Sequence, residues 1–211
     1  MEEIGSHRLT NKNIMDGLDD LMDGFQADIA LIDPPWGEGN EKYWHTILAK
    51  VDPSTAIIRP EHNDFLNQFF KLLKKHTKPD SWVFVEYGVR WVDEIIQIGE
   101  SQGLRSLAVV ELTYKAGGKV LPKHMHIFAH TNRPLPAGLV DSMTGLVEFE
   151  AMKMVIPKIS EPGQIMLDTC SGLGGFAKIA QKSGMRYFGN EMNPQRWGRT
   201  KGLLESYANL Q

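Results

Sequence analysis

One stretch restricts this chain more than any other: Ala27-Asp28-Ile29-Ala30-Leu31-Ile32-Asp33-Pro34-Pro35-Trp36. An aliphatic run stops abruptly at an acid, two prolines and a tryptophan. A continuously apolar run, rather than an alternating one, fits a buried strand of a parallel sheet. Proline cannot donate to a ladder, so the chain leaves the sheet at Asp33. Ligands of open α/β sheets bind beyond the carboxyl ends of the strands, which is where these four residues belong. Asp33 supplies an ionised acceptor, Pro34 and Pro35 supply carbonyls on a rigid backbone, and Trp36 supplies a flat apolar face. Two acceptors beside a stacking surface suit a planar ring carrying an exocyclic NH₂. A strand followed by an Asp-Pro turn fits the tetrapeptide equally well.

Composition narrows the class. With 211 residues, 42% hydrophobic and 23% charged, the chain is expected to be one domain, 1–211, with a single large core. Its net charge of −3 gives no global nucleic-acid footprint, although local basic patches remain open. No apolar run approaches a membrane span, and Met1-Glu2-Glu3-Ile4 lacks the character of a secretory signal. The single Cys170 excludes an internal disulfide and a cysteine zinc cluster, so a reducing, cytoplasmic setting is expected. His124 and His126 are two apart with no third ligand nearby in sequence; no metal is expected.

Along the chain, Arg8 to Asn13 reads as a short strand and Met15 to Gly24 as a brief helix. Gly37 to Lys42, polar and glycine-rich, reads as a mobile loop, followed by Tyr43, Trp44 and His45. Apolar spacing predicts a helix over Glu61 to His76 and another around Trp91 to Gly99, with a turn at Pro79-Asp80 and a strand over Ser81 to Tyr87 between them. Leu107 to Tyr114 and His124 to Ala129 read as strands joined by Lys115-Ala116-Gly117-Gly118-Lys119. Lys115, Lys119, Lys123, His124 and His126 concentrate positive charge there, either for phosphate contact or as a solvated turn. Residues 131–147 read as a loop, and Glu148 to Ile159 as a helix that Pro157 kinks or ends.

A second informative stretch decides between the readings of the first. Ile165-Met166-Leu167-Asp168 is a short apolar strand, Thr169-Cys170-Ser171-Gly172-Leu173-Gly174-Gly175 a glycine-rich turn, and Phe176 onward a helix. The next strand, Arg186 to Asn190, ends at Glu191. Glycines let backbone approach a ligand, and an acid closing the following strand takes ribose hydroxyls. No Gly-Lys-Ser/Thr follows, so this is not a phosphate loop. A cofactor without phosphates fits better, and S-adenosylmethionine is the obvious one.

Asp33-Pro34-Pro35-Trp36, followed far downstream by Asp168, Gly172, Gly174 and Glu191, resembles the permuted β-class of S-adenosylmethionine-dependent N6-adenine DNA methyltransferases. In that class the catalytic motif precedes the cofactor motif. The messenger-RNA adenine methyltransferases share the tetrapeptide and look like more distant relatives. The resemblance extends from Arg8 to the helix around Arg196 to Glu205. It implies that Asp33 and the carbonyl of Pro34 or Pro35 accept the amino hydrogens of the target base while Trp36 stacks on it. It further implies that Gly172 and Gly174 border the methionine part of the cofactor, with Asp168 near its amino group. Glu191 would then bind the ribose, and Asn13-Ile14 would lie against the cofactor's adenine.

The fold expected is α/β: a Rossmann-like methyltransferase sheet of seven mostly parallel strands ending in an antiparallel hairpin, in circularly permuted order. A catalytic half, 1–147, would precede a cofactor half, 148–211. Only Thr131 to Val147 is free for target recognition, too short for a separate domain. Either recognition is minimal, or the hairpin and loops supply it, or a second copy or partner subunit does. The expected activity is methylation of adenine N6, in DNA rather than RNA. Methylation of another amine or amide (RNA adenine, protein glutamine or a small molecule) and a non-catalytic nucleic-acid-binding subunit of a methyltransferase complex are the alternatives.

Overall fold

The run beginning at Ala27 forms a strand, and it lies mid-sheet. In the computed structural model, which describes residues 1–51 and 62–208, eight strands pair. They are β1 (Glu2–Ile4), β2 (His7–Thr10), β3 (Ala27–Ile32), β4 (Thr77–Tyr87), β5 (Arg105–Ala116), β6 (Lys119–Ala129), β7 (Ile165–Asp168) and β8 (Arg186–Asn190). Their order across the sheet is β1-β2-β8-β7-β3-β4-β6-β5. Strands β2, β8, β7, β3 and β4 run parallel, the β5–β6 hairpin joins β4 antiparallel, and β1 joins β2 antiparallel.

Helices cover both faces. On one side lie α5 (Leu139–Met143), α6 (Glu148–Ile159), α7 (Gly175–Lys182) and α8 (Pro194–Ala208), whose apolar residues pack with Ile29, Leu31 and Phe84. On the other lie α1 (Asp19–Met22), α3 (His62–His76) and α4 (Val92–Ser101), packed with Ala30, Ile32, Val83 and Val85. Successive residues of β3 and β4 thus enter opposite cores, which is why these strands read as unbroken apolar runs. Asp28, the one acid in the β3 run, accepts from the Ile165 N–H at 2.8 Å and pairs with Lys78 Nζ at 2.5 Å, tying β7 and β4 to β3.

Several expectations need correction. The sheet has eight strands among the described residues, not seven, because Glu2–Ile4 adds an edge strand too short to show a period. Gly37 to Lys42 is not a loop: it opens α2 (Gly37–Val51). Its glycines fall in the first turn, where their cost is smallest, and no proline follows until Pro53. Pro79-Asp80 does not turn the chain. It sits within β4, at the register break between the Ala27 and Ile29 pairings, where a proline's missing donor is tolerated. The 131–147 segment contains α5, and Met15 to Gly24 contains α1 preceded by a 3₁₀ turn at Ile14–Asp16. Glu61, the expected start of α3, lies outside the described residues. No helix among the described residues is long and apolar enough to cross a membrane.

Candidate active site

Strand order brings the two motifs together. β3 and β7 are hydrogen-bonded neighbours, so the chain leaves the sheet at Asp33 and at Asp168 side by side. Glu191 and the Asn13-Ile14 pair follow β8 and β2 at the same edge. All the residues singled out above therefore reach the carboxyl end of the parallel strands, where such sheets bind ligands.

The tetrapeptide is held from several sides. Trp36 Nε1 donates to Asp33 Oδ1 at 2.9 Å, and its ring meets Tyr114 of β5 edge-on, centroids 5.2 Å apart. One residue on, the Gly37 N–H donates to the Tyr87 hydroxyl at 2.8 Å. Gly37 has φ +67, and a Cβ there would sit 2.4 Å from the Trp91 ring. Only glycine permits this exit from the motif. Pro34 is buried, whereas Asp33 retains exposed surface.

Beside the tetrapeptide lies a buried charge cluster. Glu86 ends the apolar stretch of β4, and Lys123 lies on the face of β6 that carries Met125 and Ile127. Their side chains are 1% and 3% exposed and form an ion pair. Lys123 Nζ also lies 3.8 Å from Glu148 Oε1 at the start of α6, 5.3 Å from the Trp36 ring centroid and 5.5 Å from that of Tyr114. Crowding by surrounding protein raises the Asp33 pKa although part of the residue stays exposed, opposed chiefly by Lys123 and by the Trp36 hydrogen bond, while Glu148 adds to the rise. Glu86 is pushed up to about 8 by burial against the pull of Lys123. Burial alone would lower Lys123, but Glu86, Asp33 and Glu148 together hold its pKa above the ordinary value. Lys123 is thus neither a phosphate contact nor a solvated turn residue; alternation along β6 turns it inward.

The glycine turn is equally well tied. Asp168, fully buried, accepts from the Tyr187 hydroxyl at 2.7 Å and the Cys170 N–H at 3.1 Å. Burial raises it to about 7, with Glu191 and Asp33 adding repulsion. Glu191 accepts from the Gly172 N–H at 2.7 Å and the Asn193 N–H at 2.8 Å; burial raises its pKa and these backbone donors hold it back. The Gly174 N–H donates to the Ser171 carbonyl, and Gly174 adopts φ +78 where a Cβ would press on Thr200 at 3.1 Å. At the tip of the turn Leu173 is 55% exposed. Asn13 caps the 3₁₀ turn by accepting from Met15 N–H, and Ile14 is buried. Asn11 donates to the carbonyls of Glu191 and Met192, binding that segment to the end of β8.

Solved structures with this architecture were found. The complex of M1.HpyAVI with SAM superposes with a TM-score of 0.66 at 11% identity, covering 93% of this chain and 98% of that one. TTHA0409, a putative DNA modification methylase from Thermus thermophilus, gives 0.65 at 15%, covering 95% and 94%. The cytosine-N4-specific PvuII DNA methyltransferase gives 0.61 at 13%, covering 98% and 95%. The chain has the fold of these methyltransferases. No protein-family model matches it, and no curated protein sequence does.

Within this methyltransferase fold, sequence reasoning passed over Tyr87, Glu86, Glu148, Tyr114 and Tyr187, and misplaced Lys123. An acid closing a four-residue apolar run, Trp82 to Val85, was a visible signal. The tyrosines carried none, since a buried aromatic reads as core.

Proposed function

We propose that this protein transfers a methyl group from S-adenosylmethionine to the exocyclic amine of a nucleobase, adenine N6 in DNA. The observation that carries the reading is the adjacency of β3 and β7, which sets a rigid set of amine acceptors beside an acid-lined glycine turn. Asp33, Asp168 and Glu191 all have raised pKa values, so the site favours a ligand bearing positive charge. A sulfonium and an ammonium meet that demand, and exposed Leu173 offers apolar surface to a nucleoside. The pocket residues therefore fit this cofactor. Glu191 is the candidate for the ribose hydroxyls, Asp168, Gly172 and Gly174 for the methionine portion, and Asn13-Ile14 for the adenine. In this reading 1–147 form the catalytic half of one unit and 148–211 the cofactor half.

The bound cofactor would supply an activated methyl, so no metal is called for. An amine conjugated to a ring is a poor nucleophile because its lone pair is delocalised. Asp33, one oxygen of which already accepts from Trp36, has lone pairs left for one amine hydrogen, and the carbonyl of Pro34 or Pro35 takes the other. Gripped outside the ring plane, the nitrogen becomes pyramidal and directs its lone pair at the methyl. Acceptors placed where positive charge develops lower the barrier further, and alignment removes much of the entropy cost. Trp36 is the stacking surface for a base that has left the helix, at a cost of roughly a few kcal/mol.

Cytosine N4 presents the same NH₂ geometry, and the likeness to the PvuII enzyme favours it as the second reading. Incubation with labelled S-adenosylmethionine and unmethylated DNA, digested to nucleosides for mass spectrometry, separates the two. N6-methyladenine formed by the wild type and absent with Asp33→Ala, whose cofactor affinity stays within a few-fold, is expected. N4-methylcytosine would replace the adenine reading, and no product with any DNA would refute both.

A further inference from the structure

Among the described residues, Lys123–Glu86 is the only ion pair with both side chains in the interior. Each buried charge carries a desolvation cost of several kcal/mol, and such a pair seldom stabilises a fold better than apolar residues of the same shape. This one is also incompletely satisfied: Glu86 Oε1 and Glu148 Oε2 are buried without a hydrogen-bond partner. Stability does not account for it, but its location suggests a different role. The ammonium sits in the corner between two perpendicular rings, 5.3 Å from Trp36 and 5.5 Å from Tyr114, and Trp36 hands its indole N–H to Asp33. Cations over aromatic faces at this separation attract, more so when desolvated.

We propose that Lys123 is a positioning residue of the acceptor pocket: clamped by Glu86 and Glu148, it seats Trp36 against Asp33 and keeps Asp33 in its ionised, hydrogen-accepting form. This deepens the assignment of Asp33 as the amine acceptor and rests on it. The groups facing Asp33 are Lys123 and Arg196, which favour its charge, and Glu148, Glu86 and Asp168, which oppose it. Without Lys123, Asp33 would keep its like-charged neighbours and lose the cation that opposes them, which favours uptake of a proton. A protonated carboxyl would then donate toward an amine that needs acceptors, and transfer would stop.

The test is direct titration of Asp33, read by carboxyl ¹³C NMR on protein labelled at aspartate, with Asp33→Asn assigning the resonance. Glu86→Gln alone leaves Lys123 its hydrogen bond and supplies the reference midpoint for Asp33. Lys123→Met combined with Glu86→Gln removes the ammonium without orphaning its partner, and the midpoint is expected to rise by about one pH unit or more relative to Glu86→Gln. The acid limb of the kcat–pH profile should follow it upward while KM for S-adenosylmethionine stays unchanged. A scaffold role would move neither midpoint. An Asp33 titration that is the same in both variants overturns the proposal, whatever the activity. Midpoints that move as expected in a protein that methylates no nucleobase would uphold the charge-setting role and refute the assigned reaction instead.

Discussion

Glu191→Gln isolates what the acid at the end of β8 does for the glycine turn. The substitution keeps the shape of the side chain, removes the charge, and turns one oxygen into an NH₂. In the wild type each oxygen serves one backbone donor, Gly172 at 2.7 Å and Asn193 at 2.8 Å. Glutamine can serve only one of them, so the other N–H faces an NH₂. A hydrogen bond to a charged group contributes about 1.5–3 kcal/mol. In the proposed cofactor site these two bonds hold the glycine turn in place, so this loss should appear in affinity. At 1.4 kcal/mol per tenfold, Kd should rise roughly 10- to 100-fold. Titration calorimetry with S-adenosylmethionine, and with S-adenosylhomocysteine as a methyl-free control, measures it. Hydrogen exchange at the Gly172 amide should accelerate in the same variant. An affinity within threefold of wild type for both ligands would refute the reasoning, since neither the turn nor a ribose contact would then depend on the carboxylate.

Two further outcomes concern stability. Tyr187→Phe deletes the hydroxyl that donates to buried Asp168. Asp168 has a folded-state pKa of about 7, raised from an ordinary 3.8, so its ionisation costs stability as pH climbs from near 4 through 7. The Tyr187 bond offsets part of that cost only while the carboxylate is charged. Urea titrations should therefore give a destabilisation of about 1.5–3 kcal/mol at pH 8, shrinking to about 0.5–1.5 at pH 5; a pH-independent loss would contradict the assignment. His126 has the opposite sign. Buried, with neither ring nitrogen partnered, and stacked on Phe128, it is lowered by burial to about 4, so stability falls as pH drops from 6.5 toward 4. His126→Phe should remove that acid-side loss, gaining on the order of 2 kcal/mol over wild type at pH 5 and little at pH 8, measured by the same titration.

The parts of the site legible in the sequence are those where one short segment carries both the structure and the chemistry. Asp33 and Asp168 each close an apolar strand and precede residues that cannot continue it, so strand end and functional group announce each other. The strand order that makes them neighbours followed from the resemblance, not from any local signal. Lys123 shows the opposite case. Among basic neighbours it reads as surface, and its true position depends on which face of β6 meets α6, a fact carried by Met125 and Ile127 rather than by Lys123. Helix α2 was missed because two glycines near its start outweighed the thirteen further residues of proline-free chain. Tyr87 could not be read at all, because its partner, the Gly37 amide, is 50 residues away.

The strand order also sets a timetable. During synthesis β4 follows β3 and can join one of its edges, but the other edge waits for β7, more than 130 residues after β3. β2 likewise has only the three-residue β1 beside it until β8 appears. Between the synthesis of β4 and that of β7, then, the nascent chain carries a half-built sheet with an unpaired aliphatic strand at its margin. Such margins recruit other chains, and parallel pairings across long separations form slowly. The residues that complete the cofactor pocket are thus also the ones that seal the sheet, so a chain cut short before β7 would have neither a site nor a soluble edge.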